Sequence, residues 1–257
     1  MNTRRSAALL SAALLLCPGA AHSSARASIT TNSTVAARCN LPVFGPGTSY
    51  RPRIDTEDFT ASVTNRWFPL PVGRTMVYTG TKDGEPALDI VKVSPRTKLV
   101  RGVRTRVVED RLYLSNVLTE RTSDYYAQDE CGNVWYFGED TAELDARGRV
   151  VSREGSFHAG VDGAQPGVVM QAHPQLGRRF RQEWYRGHAE DIFQVVDRSA
   201  RVTVPFGTFR HALRTTETTA LEPGVLDTKY YARGVGEVAE LSFRGPREAL
   251  RLVEVFT

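Results

Sequence analysis

The sequence lacks the short motifs that mark several large enzyme classes. It contains no HExxH, no CxxC, no GxSxG, no GxxxxGK[ST] and no GxGxxG. Each of these patterns sets catalytic groups, metal ligands or phosphate-binding glycines at a fixed spacing. Their absence disfavours zinc peptidases of the HExxH type, α/β-hydrolases, P-loop enzymes and Rossmann dehydrogenases. Catalytic groups assembled from distant positions leave no such motif, so other enzymes stay open.

The sequence also lacks a run of four or more basic residues. Its 33 Lys and Arg against 29 Asp and Glu give a net charge of +4. Removing the first 21 residues would take away Arg4 and Arg5 and no acid, leaving 31 against 29. Scattered charge of this kind favours neither a polybasic site for lipid headgroups nor a basic surface that binds a nucleic-acid backbone. We therefore predict no nucleic-acid partner.

Long apolar runs are nearly absent, and the one at the N-terminus is short. It extends from Ala7 to Leu16 behind Arg4 and Arg5 and precedes small residues, which is the layout of a secretory signal peptide. We predict cleavage after Ala21, or as late as Ala27. About ten apolar residues are half of what a membrane-spanning helix needs, so we predict a secreted product without a transmembrane anchor. Cys17 could be the acylated cysteine of a lipoprotein signal, but Leu16 occupies the preceding position, where that motif requires a small residue. This disfavours lipidation.

Cysteine is scarce, with three residues in the chain. The predicted mature protein keeps Cys39 and Cys131, in a compartment that permits disulfides. We predict that they form a disulfide bond, which in the loop-entropy description stabilises the fold by about 4 to 5 kcal/mol.

Helical periodicity is scarce as well. Residues 22–40 are rich in Ser, Thr, Ala and Asn and predict a disordered linker. Residues 41–257 predict a single β domain, because from Arg74 onward short β-rich runs alternate with turn residues about every ten positions. The expected fold is mostly β, a single antiparallel meander forming a strongly curved sheet or partial β-barrel with few short helices.

One hairpin offers a candidate ligand-binding surface. If Gln128 pairs with Val134, strand alternation puts Tyr126 and Tyr136 opposite each other on one face, which either faces solvent or lines a ligand cavity. The tripeptide Tyr125-Tyr126-Ala127 returns as Tyr230-Tyr231-Ala232 in a second predicted hairpin. This echo is weak evidence for two similar halves.

The segment Glu154–Pro174 carries four glycines, two prolines and two histidines. Few strand-like runs occur in it, so we expect a long loop without internal structure, and such loops in compact domains tend to be lids or binding loops. Glu154, His158 and Asp162 would supply a proton-transfer set there; alternatively, the glycines serve tight turns and His158 is solvated.

A strand predicted over Phe180–Arg186 adds further candidates. Glu183 and Tyr185 share one face of it, and a carboxylate beside a tyrosine can act as a general base or an anchor. Trp184, on the opposite face, is a candidate ligand-binding residue. Surface strands carry such rows without a function too.

Three acidic pairs suggest calcium as a candidate cofactor, because a hard cation is coordinated by several oxygen ligands at one point. The pairs are Asp129-Glu130, Glu139-Asp140 and Glu190-Asp191. No EF-hand or glycine-aspartate repeat accompanies them, so we expect a solvated edge, no metal site and no cofactor.

Four stretches together resemble a widespread family of uncharacterised secreted or lipid-anchored bacterial proteins. They are Asn65–Tyr78, Tyr125–Asp140 (YYAQDECGNVWYFGED), Glu154–Met170 (EGSFHAGVDGAQPGVVM) and Lys229–Val238 (KYYARGVGEV). The resemblance covers most of the chain from Asn65 onward. It implies export and no known activity, so it assigns no catalytic residue.

The leading functional hypothesis is a non-catalytic exported protein that binds an apolar or aromatic small ligand on the concave face of its sheet. The first alternative is a secreted hydrolase, cyclase or isomerase that uses Glu154, His158, Asp162, Glu183 and Tyr185. The second is a cell-envelope interaction module with a flat aromatic patch. The sequence predicts no particular oligomeric state.

Overall fold

A computed structural model describes residues 41–245 and 248–257. The predicted signal peptide, both predicted cleavage sites, the linker and Cys39 lie outside these residues. Strands make up 60% of the described residues, and none of the helices in this part has seven or more residues. None of them is long and apolar enough to cross a membrane either.

Sixteen strands belong to one sheet in the described part of the chain. They are β1 (Phe59–Thr60), β2 (Thr75–Lys82), β3 (Glu85–Val100), β4 (Val103–Leu114), β5 (Val117–Asp129), β6 (Val134–Leu144), β7 (Val150–Ser152), β8 (Phe157–His158), β9 (Gln165–Met170), β10 (Arg179–Arg181), β11 (Glu183–Trp184), β12 (Ile192–Val204), β13 (Gly207–Thr218), β14 (Leu226–Ala232), β15 (Gly236–Arg244) and β16 (Glu248–Phe256). Short 3₁₀ turns lie at Gly47–Ser49 and Thr56–Asp58.

The sheet is an antiparallel meander that nearly closes into a barrel. Its strand order is β10-β12-β13-β14-β15-β16-β2-β3-β4-β5-β6-β9-β11, with β1, β7 and β8 paired at the side of β5 and β6. The C-terminal strand β16 pairs with β2, the first long strand, and so joins the two runs of hairpins. The predicted fold class, a strongly curved antiparallel sheet or partial barrel, is confirmed.

Tight turns fix the register of the first hairpins. Lys82 pairs with Glu85 across Asp83-Gly84, and both turn residues have positive φ, 53° and 84°. In the next two turns, at Arg101-Gly102 and Ser115-Asn116, both residues also have positive φ. Two-residue turns with positive φ at both positions match the right-handed twist of the strands they join. The long strands β2 to β5 therefore follow one another without a break in the sheet.

Residues 41–71, which we call the entry segment, pack across one end of the sheet. The ring of Phe59 meets the rings of Trp135 and Phe137 edge-on, at centroid distances of 5.8 and 5.2 Å. Asn65 donates from Nδ2 to the carbonyl oxygens of Gly132 and Gln171, at 2.8 and 3.1 Å. These contacts bury the outward face of β6 as well as its inward face, so Val134 to Gly138 are all buried.

The glycine-rich segment Glu154–Pro174 contains two strands, so the expectation of a long loop without internal structure is wrong. All six residues of β9 are buried, and β8 pairs with β6. A Cβ at Gly138 would lie 2.3 Å from the carbonyl oxygen of Phe157, and one at Gly167 would meet the Arg181 carbonyl oxygen equally closely. Glycine is needed at both places because two backbones approach each other directly.

The single strand expected over Phe180–Arg186 is also wrong, because the chain changes partners at Gln182. Phe180 in β10 pairs with Phe193 in β12, whereas Glu183 in β11 pairs with Pro166 in β9. The resulting bend breaks simple alternation, and Gln182 and Glu183 both reach the barrel interior.

Candidate functional site

The barrel encloses a cavity of about 330 Å³. This volume is at the small end of the range of about 300 to 1,000 Å³ that small-molecule sites occupy. Its wall comes from β2 to β6, β9, β11 and β13 to β15, together with Gln182 and Asp191 beside β11 and β12, and residues of the entry segment contribute at one end. We call it the acidic cavity; its lining residues are Phe68, Pro69, Leu70, Met76, Tyr78, Asp89, Val91, Val108, Asp110, Asp124, Tyr126, Tyr136, Glu139, Val169, Gln182, Glu183, Asp191, Glu217, Lys229, Tyr231, Gly236, Glu237 and Glu240.

Charge of one sign dominates this lining. It contains nine carboxyl side chains and four tyrosines, and Lys229 is its one basic residue. Buried carboxyl groups are rare in proteins unless they are paired, because removing a charge from water is costly. A cavity with nine of them around one lysine therefore differs from an ordinary core.

Strand alternation explains most of the inward positions. Asp124 and Tyr126 in β5 are two residues apart, as are Lys229 and Tyr231 in β14, and each pair lines the cavity. Tyr126 lies directly opposite Tyr136 across β5 and β6. Their rings stack at a centroid distance of 4.8 Å with an interplanar angle of 20°.

Two β-bulges bring further acids into the cavity. The register between β5 and β6 shifts by one residue between the pairs Tyr126–Tyr136 and Asp124–Glu139. Because of this extra residue, Glu139 faces the cavity although it is three positions after Tyr136. Glu240 reaches the interior in the same way, through a register shift between β14 and β15.

Lys229 shows how this cavity holds an ammonium group. Its Nζ lies 3.3 Å from Glu217 Oε2 and 3.4 Å from Glu240 Oε1. Burial opposes the charge of the ammonium, but Glu217, Glu240 and Glu237 together raise the pKa of Lys229 well above its ordinary value. The lysine therefore remains protonated at neutral pH.

Asp124 and Glu139 lie in the opposite half of the wall. Tyr136 donates from its hydroxyl to Asp124 Oδ1 at 2.6 Å, and Thr141 donates to Glu139 Oε2 at 2.7 Å. Burial and the neighbouring charge of Glu139 raise the pKa of Asp124 well above its usual range. Burial raises the pKa of Glu139 to about 7. A nearby positive charge would stabilise the ionised form of both groups.

Two carboxyl oxygens of the cavity have no hydrogen-bond partner among the described residues. They are Asp89 Oδ1 and Glu217 Oε1, and both residues are 9% exposed. Burial raises the pKa of Glu217 to about 7 and that of Asp89 further from its usual value. An unsatisfied buried carboxyl oxygen costs free energy unless it meets a donor, which a ligand can supply.

Of the five candidate catalytic residues, Glu183 lies in the acidic cavity. Burial raises its pKa strongly, and the charges of Asp191 and Glu139 add to the effect. Tyr185, expected beside it, stacks on His188 at 4.5 Å instead. The bend at Gln182 separates their orientations, so the expected row of Glu183 and Tyr185 does not form.

The other three candidates lie in different surroundings. Glu154 is exposed and pairs with His188 at 3.4 Å, and Asp162 is exposed in a turn with φ of 48°. His158 Nε2 lies 2.9 Å from Asp140 Oδ1, in a cluster that Lys98 and Tyr125 complete through contacts with Asp140 Oδ2. The structure thus brings none of these three into the acidic cavity, and their catalytic roles stay predictions.

The three candidate ligand-binding aromatics divide in the same manner. Tyr126 and Tyr136 line the cavity. Trp184 does not; its ring lies over the Arg181 guanidinium at 4.6 Å and fills the space in which a Cβ of Gly47 would stand. Trp184 therefore anchors the entry segment.

The acidic pairs expected on a solvated edge are partly buried. Asp129 accepts hydrogen bonds from Asn133 and Trp135 in the β5–β6 turn. Glu139 and Asp191 line the acidic cavity, whereas Asp140 remains outside. Among the described residues no group of three or more His, Cys, Asp or Glu side chains is arranged to hold a metal ion.

Sequence reasoning missed Lys229 and most of the carboxyl groups around it. One signal for them existed, since extending the alternation of Tyr126 and Tyr231 backwards by two residues reaches Asp124 and Lys229. No such signal marks Glu139 and Glu240, because a β-bulge reverses the direction in which they point.

The sequence matches no known family model and no curated protein. Two solved structures are similar. One is a protein of Bacteroides fragilis NCTC 9343 described as exported with a YmcC-like fold, at 12% identity and a TM-score of 0.41, covering 75% of this chain and 100% of that one. The other is a protein of Parabacteroides distasonis ATCC 8503 described as a lipoprotein, at 10% identity and a TM-score of 0.39, covering 75% and 99%.

Proposed function

We propose that this protein binds a small organic cation carrying a protonated amine inside the acidic cavity. The observation that carries the proposal is the lining of that cavity, in which nine carboxyl groups surround one lysine. A ligand with positive charge is the chemical complement of such a wall.

The cost of the acidic wall without a ligand supports the same proposal. Burial raises the pKa of Glu139 and of Glu217 to about 7, so each prefers its neutral form more than an ordinary glutamate does. A bound cation would favour the ionised form and give Asp89 Oδ1 and Glu217 Oε1 a donor. Binding would therefore stabilise the folded protein.

The aromatic part of the wall suits an organic cation better than a bare ion. Tyr126 and Tyr136 present stacked rings beside Asp124, and Tyr231 lies beside Lys229. Aromatic rings contact the carbon stem of an amine, and their faces attract its charge. Ligand binding is thus the function that the sequence also predicts, but a cationic ligand suits this wall better than the apolar or aromatic ligand expected there.

Catalysis in the same cavity is the second candidate. Carboxyl groups with a pKa of about 7, such as Glu139, are suited to exchange protons at neutral pH. Within the set predicted from sequence, a general acid or base role then falls to Glu183 and not to His158. Turnover of an amine substrate that Glu183→Gln abolishes and His158→Ala preserves would establish it. An envelope interaction module is a weaker alternative, since the aromatics of β5 and β6 are enclosed.

We also propose that the mature protein is exported, begins after Ala21 or Ala27 and carries the Cys39–Cys131 disulfide bond. The N-terminal sequence pattern supports export. Cys131 lies in the turn between β5 and β6, where the adjacent Gly132 accepts a hydrogen bond from Asn65. An N-terminal sequence of the secreted protein tests the first point.

Calorimetric titration of the mature protein with putrescine at pH 8 tests the function. We expect a dissociation constant on the order of 100 μM or tighter, as a six-heavy-atom ligand can reach. Butanol and succinate are matched neutral and anionic controls, and Mg²⁺ and Ca²⁺ test simple ions. Binding of butanol as tight as that of putrescine, or of the metal ions alone, would overturn the proposal.

A further inference from the structure

Two hairpins of the barrel repeat one arrangement. In β5–β6, Tyr126 pairs with Tyr136, and after a one-residue bulge Asp124 pairs with Glu139. In β14–β15, Tyr231 pairs with Glu237, and after a one-residue bulge Lys229 pairs with Glu240. Both second tyrosines belong to the repeated Tyr-Tyr-Ala tripeptides, so the weak echo in the sequence corresponds to equivalent positions in the sheet.

The equivalence extends to the preceding strand of each half. Val108 in β4 pairs with Asp124, and Asp110 lies two residues further along β4. Thr215 in β13 pairs with Lys229, and Glu217 lies two residues further along β13. The positions of Asp110, Asp124 and Glu139 therefore correspond to those of Glu217, Lys229 and Glu240.

We call Asp110, Asp124 and Glu139 the first set and Glu217, Lys229 and Glu240 the second set. The middle residue differs in charge between the two sets. In the second half it is Lys229, whose ammonium bridges Glu217 and Glu240 at 3.3 and 3.4 Å. In the first half it is Asp124, which lines the cavity with Asp110 and Glu139 and is close enough to both for their charges to act on it. One set thus carries its own ammonium group, and the other has three acids in the same places.

We propose that the first set is the ammonium site, and that a primary alkylamine binds there with its nitrogen among Asp110, Asp124 and Glu139, as Lys229 Nζ lies among acids in the second set. The inference rests on the proposed function and specifies its ligand class and subsite. A primary ammonium has three N–H donors for these acceptors, whereas a quaternary ammonium has none.

The surroundings of the first set are consistent with an added cation. Asp89 is hydrogen-bonded to Asp110 and has the unpartnered oxygen Oδ1. Lys82 and Arg111 act on Asp110 electrostatically, but neither lines the cavity, and Lys82 pairs with Glu248 at 3.5 Å. Glu183 and Glu120 add further negative charge near Asp124 and Glu139.

Calorimetry with propylamine on three variants tests this assignment. The wild-type protein is expected to bind one propylamine, and tetramethylammonium at least tenfold more weakly. Asp124→Lys should supply an internal ammonium in the first set and weaken binding at least 20-fold. Lys229→Ala should open the second set, so that two molecules bind. The exchange variant Asp124→Lys with Lys229→Asp keeps the net charge and should regain one site.

The outcomes separate the inference from the function. If the wild-type protein binds no amine, the proposed function fails. If it binds propylamine and Asp124→Lys binds it equally well, the function stands and the subsite is overturned. Should Asp124→Lys not fold, Asp124→Asn is used; at least tenfold weaker binding supports the subsite, and unchanged binding overturns it. Asp140→Asn, beside Glu139 but outside the cavity, is the matched control and should bind like wild type.

Discussion

The hydroxyl group of Tyr136 donates a hydrogen bond of 2.6 Å to Asp124 at the wall of the acidic cavity. This bond stabilises the ionised form of Asp124 and partly offsets the burial that raises its pKa. It therefore links the stacked tyrosine pair to the acid at the centre of the proposed ammonium site.

Replacing this tyrosine should weaken amine binding without disturbing the fold. In Tyr136→Phe the ring stays and the hydrogen bond is lost, so the pKa of Asp124 rises further and less of it is ionised. We expect a loss of affinity of about tenfold, matching a charge-assisted hydrogen bond of about 1.5 kcal/mol. Titration with propylamine at pH 7 measures it.

Tyr125→Phe is the matched control for this change. Tyr125 precedes Tyr126 in β5 and donates to Asp140 on the outer side of the sheet. Its loss should leave the affinity for propylamine within about twofold. Equal effects of both substitutions would contradict a specific role of Tyr136.

Amine affinity should increase with pH between about 5.5 and 8. Burial raises the pKa of Glu139 to about 7, and Glu120 and Asp191 add to the negative charge around it. Below that pH Glu139 takes up a proton and no longer attracts a cation, whereas alkylamines remain charged. One such group predicts roughly a tenfold or larger loss at pH 5.5. A pH-independent dissociation constant would show that the cavity acids do not contact the ligand.

The protein without ligand should be less stable at pH 8 than at pH 5.5. Glu217 has a pKa of about 7 in the folded protein, against an ordinary value of 4.5, so the folded state binds the extra proton between these values. Stability therefore falls as pH rises, by about 2 kcal/mol between pH 5.5 and pH 8 for one such group.

Urea unfolding at the two pH values measures this change, and Glu217→Gln should reduce it. Saturating propylamine should raise stability more at pH 8 than at pH 5.5. An unfolding midpoint that rises with pH in the absence of amine would contradict a raised pKa of Glu217 in the folded protein.

The predicted disulfide bond gives an independent test of the N-terminal region. The mature protein without reductant should have a mass about 2 Da below that of the reduced protein. Cys131→Ser should lower the free energy of unfolding by about 4 kcal/mol in the loop-entropy description. Free thiols at both positions in protein purified from the medium would contradict the pairing.

The sequence predicted the fold better than the site. Alternation and turn residues such as Asp83-Gly84 act locally, so they indicate strands and hairpins directly. The opposition of Tyr126 and Tyr136 was also predictable, because it follows from the register of one hairpin.

The charged part of the site depends on contacts between distant strands. Glu217 and Glu240 meet Lys229 only because three strands lie side by side, and Glu139 points inward only because of a bulge. Proximity in sequence was misleading for Tyr185, which is two residues from Glu183, and the glycine-rich segment was misleading for Glu154 and His158. Glu154 pairs with His188, Tyr185 stacks on His188, and His158 contacts Asp140, all outside the acidic cavity.

A crystal structure of the mature protein grown with propylamine at pH 8 tests the central claim most directly. We expect electron density for one amine in the acidic cavity, with its nitrogen within hydrogen-bonding distance of Asp124 and Glu139 and with Lys229 still between Glu217 and Glu240. A cavity that contains only water at saturating propylamine, or an amine bound elsewhere on the protein, would contradict the proposed site.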